Sequence, residues 1–293
     1  MTSTTSSARP SGTLITVAPT GAESAKADVP ALPVTPEELA AAAAGCEAAG
    51  AALIHIHVRD HEHRPTLELS RVREAVAAVR GSSSLIVQLS TGGSVHDPLD
   101  RRLAVLEAAP DSCSLTCGTV NFGDEVFLNP WPFMVELYRA AQQARVVPEF
   151  ELFDLGHVAS LRRLIDTCGL PHGGTVHCDL VLGVPGAAPG TGATLASLVA
   201  ALLAQVPEVT SWSATGVGRS ALAVMPGALS LGGHLRVGME DTLTFAPGRP
   251  VRDNAELVER AASLATLALR PPMTTDEART LLNVKDRRNG AAR

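Results

Sequence analysis

Short runs of apolar, often β-branched residues alternate with longer stretches rich in alanine and leucine along almost the whole chain. The short runs read as strands over 14–19, 51–58, 85–90, 112–116, 146–153, 175–182, 209–214 and 234–238. The longer stretches read as helices over 35–49, 70–80, 98–108, 131–144, 157–168, 194–205, 218–229 and 254–270. The first helix opens on TPEEL, with Thr35 as N-cap, Pro36 at the first helical position and Glu38 three residues after the cap. In NAELVERAASLATLAL, helical spacing puts Leu257, Ala261, Leu264 and Ala268 on one face. Eight strand signals alternating with eight helix signals are the pattern of parallel βα units. A closed (β/α)8 barrel accounts for that count and length better than an open, doubly wound sheet. TTDEA starts one further helix before a charged, frayed end. The expectation is therefore an α/β chain with one TIM barrel as its single domain over 13–293. A C-terminal helical extension follows the barrel, and a disordered polar tail over 1–12 precedes it.

A closed barrel locates its chemistry at the C-terminal ends of the strands and in the loops that follow. The second strand ends in ALIHIHVRD (52–60). Side chains alternate along a strand, so His55 and His57 project to one side and Ile56 to the other. Two imidazoles at a barrel mouth can bind one metal ion, and zinc takes nitrogen ligands while leaving a position open for catalysis. The alternative use of the pair is two buried histidines hydrogen-bonded to their neighbours. His61 and His63, in the charged loop that follows, read as solvated. The eighth strand ends in RVGMED, with Glu240 and Asp241 just past the last apolar residue. In a closed barrel that strand adjoins the first and lies near the second, so Glu240 can complete a set of two histidines and a glutamate.

The other strand ends share this polar, glycine-rich character. PTGAE carries Glu23, STGGS carries Ser90, Thr91, Gly92 and Gly93, and CGTVNFG carries Thr119 and Asn121. The fifth strand holds Glu149 and Glu151 on one face, with Asp154 after it. Singly, each is ordinary turn or cap chemistry. Their recurrence at the same end of successive units points to an active-site mouth. Arg236, inside the eighth strand, needs a carboxylate if it points into the barrel, and Asp241 or a fifth-strand glutamate could serve. Pointing outward, it would lie on a helix–sheet seam.

Composition narrows the partners. The 293 residues are 45% hydrophobic, enough for one large core. A net charge of −6 and an aromatic content of only 3% argue against nucleic acid or an anionic membrane. Cys46, Cys113, Cys117, Cys168 and Cys178 form no CxxC pair and read as reduced thiols of a cytoplasmic protein. The first dozen residues lack the apolar core of a secretory signal, and no apolar run is long and clean enough to span a bilayer.

Taken in order, ITVAPTGAE, HIHVRD, STGGS, TVNFG, PEFELFDLGH and SLGGHLRVGMED resemble the β-keto acid cleavage enzymes, a family that includes the 3-keto-5-aminohexanoate cleavage enzyme. The resemblance runs from about residue 13 to 285, and HxHVRD together with GGHxRVGxED is a specific combination. It implies a zinc-dependent (β/α)8 barrel that condenses a β-keto acid with acetyl-CoA, giving acetoacetate and a new acyl-CoA. It implies zinc ligation by His55, His57 and Glu240. It also implies substrate contacts from Ser90, Gly93, Thr119 and Asn121, and proton transfer and carbonyl attack served by Arg236 and Asp241 with Ser90. A glutamate of the fifth strand is expected at the site: Glu151, with Glu149 the alternative. Glu23 matches a position that can face the variable end of the substrate, where a carboxylate would favour a cationic tail; as a helix-capping or surface glutamate it would leave neutral and anionic tails open. Relatives of this kind suggest a homo-oligomer, a tetramer. The chain departs from the family in reading GMEDT where GLEDN is common, with Thr242 in place of asparagine.

Two other readings compete. An amidohydrolase-type zinc hydrolase also uses HxH on a barrel and could recruit His157 and His177. However, such enzymes place HxH on their first strand, and here a whole βα unit precedes His55. The other reading is a barrel that keeps its metal as a structural staple or binding module. The chain has neither a P-loop nor a GxGxxG followed by a helix, so the expectation of CoA rests on the resemblance alone.

Overall fold

The computed structural model describes residues 12–287. The tail expected over 1–12 lies, apart from Gly12, outside the described residues, as does the end of the C-terminal segment expected to fray. Eight parallel strands close into a barrel: Ile15–Val17, Leu53–Ile56, Ile86–Leu89, Ser112–Thr116, Val147–Leu152, Val176–Leu182, Val209–Gly216 and His234–Val237. They pair in sequence order, and the eighth closes on the first through Thr16↔Arg236.

The helices start where local chemistry allows. Thr35 and Glu38 form the expected capping box on Pro36–Ala49, and Gly50 ends that helix in the left-handed region. Asp154 caps Leu155–Cys168 through the Gly156 and His157 amides, so that helix begins two residues before the pattern suggests. The stretch expected as one helix over 98–108 is Leu99–Ala104 followed by a 3-10 turn, Val105–Ala108. Two hairpins break the βα rhythm: Val120–Phe122 with Glu125–Phe127 after the fourth strand, and Thr244–Ala246 with Arg249–Pro250 after the eighth.

Period-two alternation sorts the strand residues. One set, including Ile54, Ile56, Val87, Leu115, Phe150, Leu180 and Leu235, packs in the main apolar core with the helices. The other set lines the barrel interior, which has two layers. At the N-terminal end Leu14, Leu53, Ile86 and Val147 form an apolar plug with Ala278 and Leu282 of the C-terminal helix Thr275–Leu282. Above the plug the interior is polar, and its side chains lead up to the mouth.

Candidate active site

The floor of the mouth is built from the ends of strands two and eight. His55 Nε2 and His57 Nε2 lie 3.9 and 3.6 Å from Glu240 Oε1. Two glycines let this happen. A Cβ on Gly238 would sit 1.9 Å from the Ala18 carbonyl oxygen, so only glycine allows the eighth strand to turn against the first. Gly21, at φ +64°, would meet the Glu240 side chain at 2.7 Å. Glu240 is thereby laid beside the imidazoles.

The three residues fit a metal ion. One donor atom from each falls within 4.8 Å of the others, and among the described residues they are the only such group. The buried Glu240 Oε2 has no hydrogen-bond partner. His55 Nδ1–H donates to Gln88 Oε1 at 2.6 Å, and Gln88 Nε2 donates to Ser112 at 3.2 Å, which turns the His55 Nε2 lone pair toward the mouth. Burial lowers the His55 pKa to about 4, so the ring is neutral, the form that ligates. Burial would raise Glu240, but Arg236 and the two histidines outweigh it and hold the carboxyl well below its ordinary range.

Arg236 points inward and has several carboxylate partners. It donates to Asp241 through Nε at 3.2 Å and Nη2 at 3.1 Å, and to Glu240 and Glu151. Burial lowers an arginine, yet Asp241 and Glu240 push this one well above its ordinary value. Burial raises Asp241 to about 6, against the pull of Arg236. Glu151 is also raised by burial; its Oε2 accepts from Thr116 at 2.7 Å. Glu149 lies one layer deeper, 3.2 Å from His177, away from the mouth.

A cavity of about 220 Å3 opens above these groups. Its wall includes His55, His57, Ser90, Gly93, Glu151, Arg236, Glu240, Asp241 and Glu23, the last exposed at the rim. The structure therefore brings together nine of the sequence-identified residues. It does not bring Thr119 and Asn121 to the cavity. Both are exposed at the hairpin after strand four, where Thr119 Oγ1 accepts from the Asn129 amide and Asn121 packs on Gly186. Thr242 is buried in a local turn with Thr244, apart from the cavity.

Several residues that shape the site were not among the candidates. Gln88 and Thr116 orient the inner groups, as described. Arg59, the arginine of HIHVRD, is buried and donates to the carbonyls of Gly21 and Ser24, fixing the loop that bears Glu23. Arg102 donates to the Thr91 and Leu128 carbonyls and to Asn129, tying the STGGS loop to the hairpin. A buried polar residue on an apolar strand, as Gln88 is in LIVQLS, was the available signal.

A sequence profile of the beta-keto acid cleavage enzymes matches residues 13–284. The chain belongs to this family. Among its relatives is the 3-keto-5-aminohexanoate cleavage enzyme of Fusobacterium nucleatum, 36% identical over 274 residues, 93% of this chain and 98% of that protein. The 3-oxoadipate:acetyl-CoA acetyltransferase of Cupriavidus necator is 34% identical, over 92% of this chain and 94% of that one. The 3-dehydrocarnitine:acetyl-CoA trimethylamine transferase of Rhizobium meliloti is 34% identical over 85% and 89%. Among solved structures, apo ObcA superposes with a TM-score of 0.78 at 23% identity, covering 87% of this chain and 66% of ObcA, a likeness of fold. For a β-keto acid cleavage enzyme the amidohydrolase reading falls away, and the histidines it would need are placed elsewhere. His157 Nδ1 accepts from the Phe153 amide, and His177 is held by Ser211, Ser213 and Glu149 deep in the barrel.

Proposed function

We propose that this enzyme is a zinc-dependent acyltransferase that converts R–CO–CH2–COO− and acetyl-CoA into R–CO–SCoA and acetoacetate. The observation that carries the reading is the pairing of a His55–His57–Glu240 metal set with the Arg236–Asp241 pair on the floor of one cavity. The net reaction makes a bond from C2 of the acid to the acetyl carbonyl carbon and breaks the acetyl thioester C–S bond; it then breaks C2–C3 as the released CoA sulfur bonds to C3, so a proton must leave C2 first and return to it last. Asp241 is the base for that proton: two hydrogen bonds from Arg236 aim its carboxylate, and a pKa of about 6 suits proton transfer near neutrality. A zinc ion held by His55, His57 and Glu240 would supply Lewis acidity to the keto and carboxylate oxygens of the acid. Ser90 and Gly93 sit where they can hold the acid's polar end, and the Ser90 hydroxyl can donate to oxygen as charge develops. Arg236 is the shared cationic partner of Glu240, Asp241 and Glu151.

The names of the relatives, each a transferase from acetyl-CoA or a cleavage enzyme for a keto acid, support the reaction class. No helix of the described residues is long and apolar enough to cross a membrane, and none of the cysteines is bonded. We place the enzyme in the cytoplasm as a tetramer with one barrel domain per chain. The test is a mass-spectrometric assay of the zinc-loaded protein with acetyl-CoA and a β-keto acid. Acetoacetate and the matching acyl-CoA should appear in equal amounts, stop on chelation and be absent in His55→Ala. Loaded protein that forms no thioester from any β-keto acid would overturn the reading.

A further inference from the structure

Five carboxylates inside the barrel are attracted to one guanidinium. Glu149, Glu151, Asp179, Glu240 and Asp241 all feel the charge of Arg236. Glu151, Glu240 and Asp241 pair with it directly and line the cavity. Glu149 and Asp179 lie deeper, under the floor, and the acyl-transfer steps use neither.

Strand geometry makes these two residues neighbours. Strands five and six pair with Glu149 opposite His177 and Glu151 opposite Asp179. All four alternate with Phe150, Cys178 and Leu180 of the main core, so all four turn inward. Both carboxyls are buried, Asp179 completely. Each has one oxygen engaged: Asp179 Oδ2 accepts from Thr215 Oγ1 at 2.6 Å, and Glu149 Oε2 lies 3.2 Å from His177 Nε2. The other oxygen of each, Asp179 Oδ1 and Glu149 Oε1, has no hydrogen-bond partner. Among the described residues one further buried carboxylate oxygen is in that condition, Glu240 Oε2, and it belongs to the metal set.

We propose that Glu149 and Asp179 form a buried acid pair that shares one proton between their two free oxygens, and that Asp179, kept neutral, is a positioning residue that leaves Arg236 to the carboxylates of the mouth. Ionised carboxylates accept but cannot donate, so two of them would leave both oxygens bare in the interior. One proton joins those oxygens in a single charge-assisted hydrogen bond. It also removes the repulsion that forbids two close carboxylates from ionising together. The surroundings favour Asp179 as its holder: burial and Glu149 push that carboxyl well above its ordinary value, while Glu149, which burial alone would raise, is held low by His177. Arg236, Glu151, His55 and His177 are the ionisable groups that act on the pair from the surrounding strands.

Infrared spectroscopy of the zinc-loaded protein at pH 8 reads the proton directly, as the carbonyl stretch of a protonated carboxyl. It needs no turnover, so its result is independent of the acyl-transfer reading. The band should be present in the wild type and absent in Asp179→Asn and in Glu149→Gln, because either amide donates where the proton was and leaves its partner ionised. Thr215→Val, which takes a hydrogen bond from Asp179 Oδ2 without touching either carboxyl, should move the band to higher frequency. A wild-type spectrum without the band overturns the inference and leaves two ionised carboxylates, held by a cation instead. A band that survives Asp179→Asn, or that Thr215→Val leaves in place, belongs to another carboxyl and overturns it too. A band that survives Glu149→Gln shows Asp179 protonated by burial alone and overturns the sharing. Asp179→Asn and Glu149→Gln carry the same net charge but place it at different levels, and in Glu149→Gln it competes for Arg236. With a β-keto acid that turns over, kcat should therefore be lower in Glu149→Gln by about tenfold. Equal kcat in the two variants would overturn the positioning role.

Discussion

Gln88 contributes no atom to the cavity wall, yet it decides which nitrogen of His55 faces it. With Gln88 Oε1 taking the Nδ1 proton and Ser112 fixing the amide, the ring has one tautomer and one orientation. Gln88→Leu removes the acceptor and leaves a buried ring free to place its proton on Nε2. We expect metal affinity to fall by about 10- to 100-fold, read by competition against a chromophoric chelator, while Gln88→Glu, which still accepts, retains most of it. Equal affinities in the wild type and Gln88→Leu would remove the orienting role. At this scale the sequence was legible where chemistry demanded an unusual residue. HIHV exposes its pair by alternation alone, and an arginine inside a strand announces that it needs carboxylates. Which carboxylates was not legible: Asp241 and a fifth-strand glutamate were alternatives, and Arg236 takes both together with Glu240. Strand geometry placed Glu149 and Glu151 on one face but could not say which layer reached the mouth; Glu151 does.

Among the elements, the barrel strands and most helices could be read from periodicity, while the hairpin that supplies Phe122 and Phe127 could not. Its strands are three residues each, too short for a period, and Gly123 with its neighbours reads as an ordinary loop. The same hairpin carries Asn121 and follows Thr119, and it turns its aromatic residues, not these two polar ones, into the cavity. What fixes it is Arg102, a buried guanidinium between the Phe127 and Phe133 rings. Arg102→Met would leave the Thr91 and Leu128 carbonyls and the Asn129 side chain without their donor. We expect a loss of about 2–4 kcal/mol in urea unfolding. Arg102→Lys should recover little of it, since an ammonium cannot reproduce three contacts made by a planar fork. A Lys variant as stable as the wild type would show that charge alone suffices.

For the whole molecule, alternation and count were enough to indicate a closed barrel, because eight βα units leave few other ways to bury eight strands. The contents of the barrel were less accessible, since its two layers join residues far apart in the chain. Leu14 and Leu282 share the apolar plug, and directly above it His234 on strand eight faces His177 on strand six, with ring centroids 6.3 Å apart. His234 Nδ1 accepts the Leu14 amide at 3.0 Å, a bond only the neutral ring with its proton on Nε2 can make. Burial, with the neighbouring His177 and Arg270, lowers its pKa from 6.5 to about 3. The unfolded chain therefore binds a proton that the folded one refuses between these two values. Stability is fully present above the unfolded pKa and declines as pH falls below 6.5, down to the folded value of about 3. Each such group adds a slope of up to about 1.4 kcal/mol per pH unit. His234→Asn keeps an acceptor near Nδ1 and cannot titrate. In metal-free protein the variant should be less stable than the wild type at pH 8, because the smaller side chain leaves space in the core, and the gap should narrow as pH is lowered from 6.5 to 4.5. Parallel stability curves across that range would assign the acid sensitivity of the barrel to other groups.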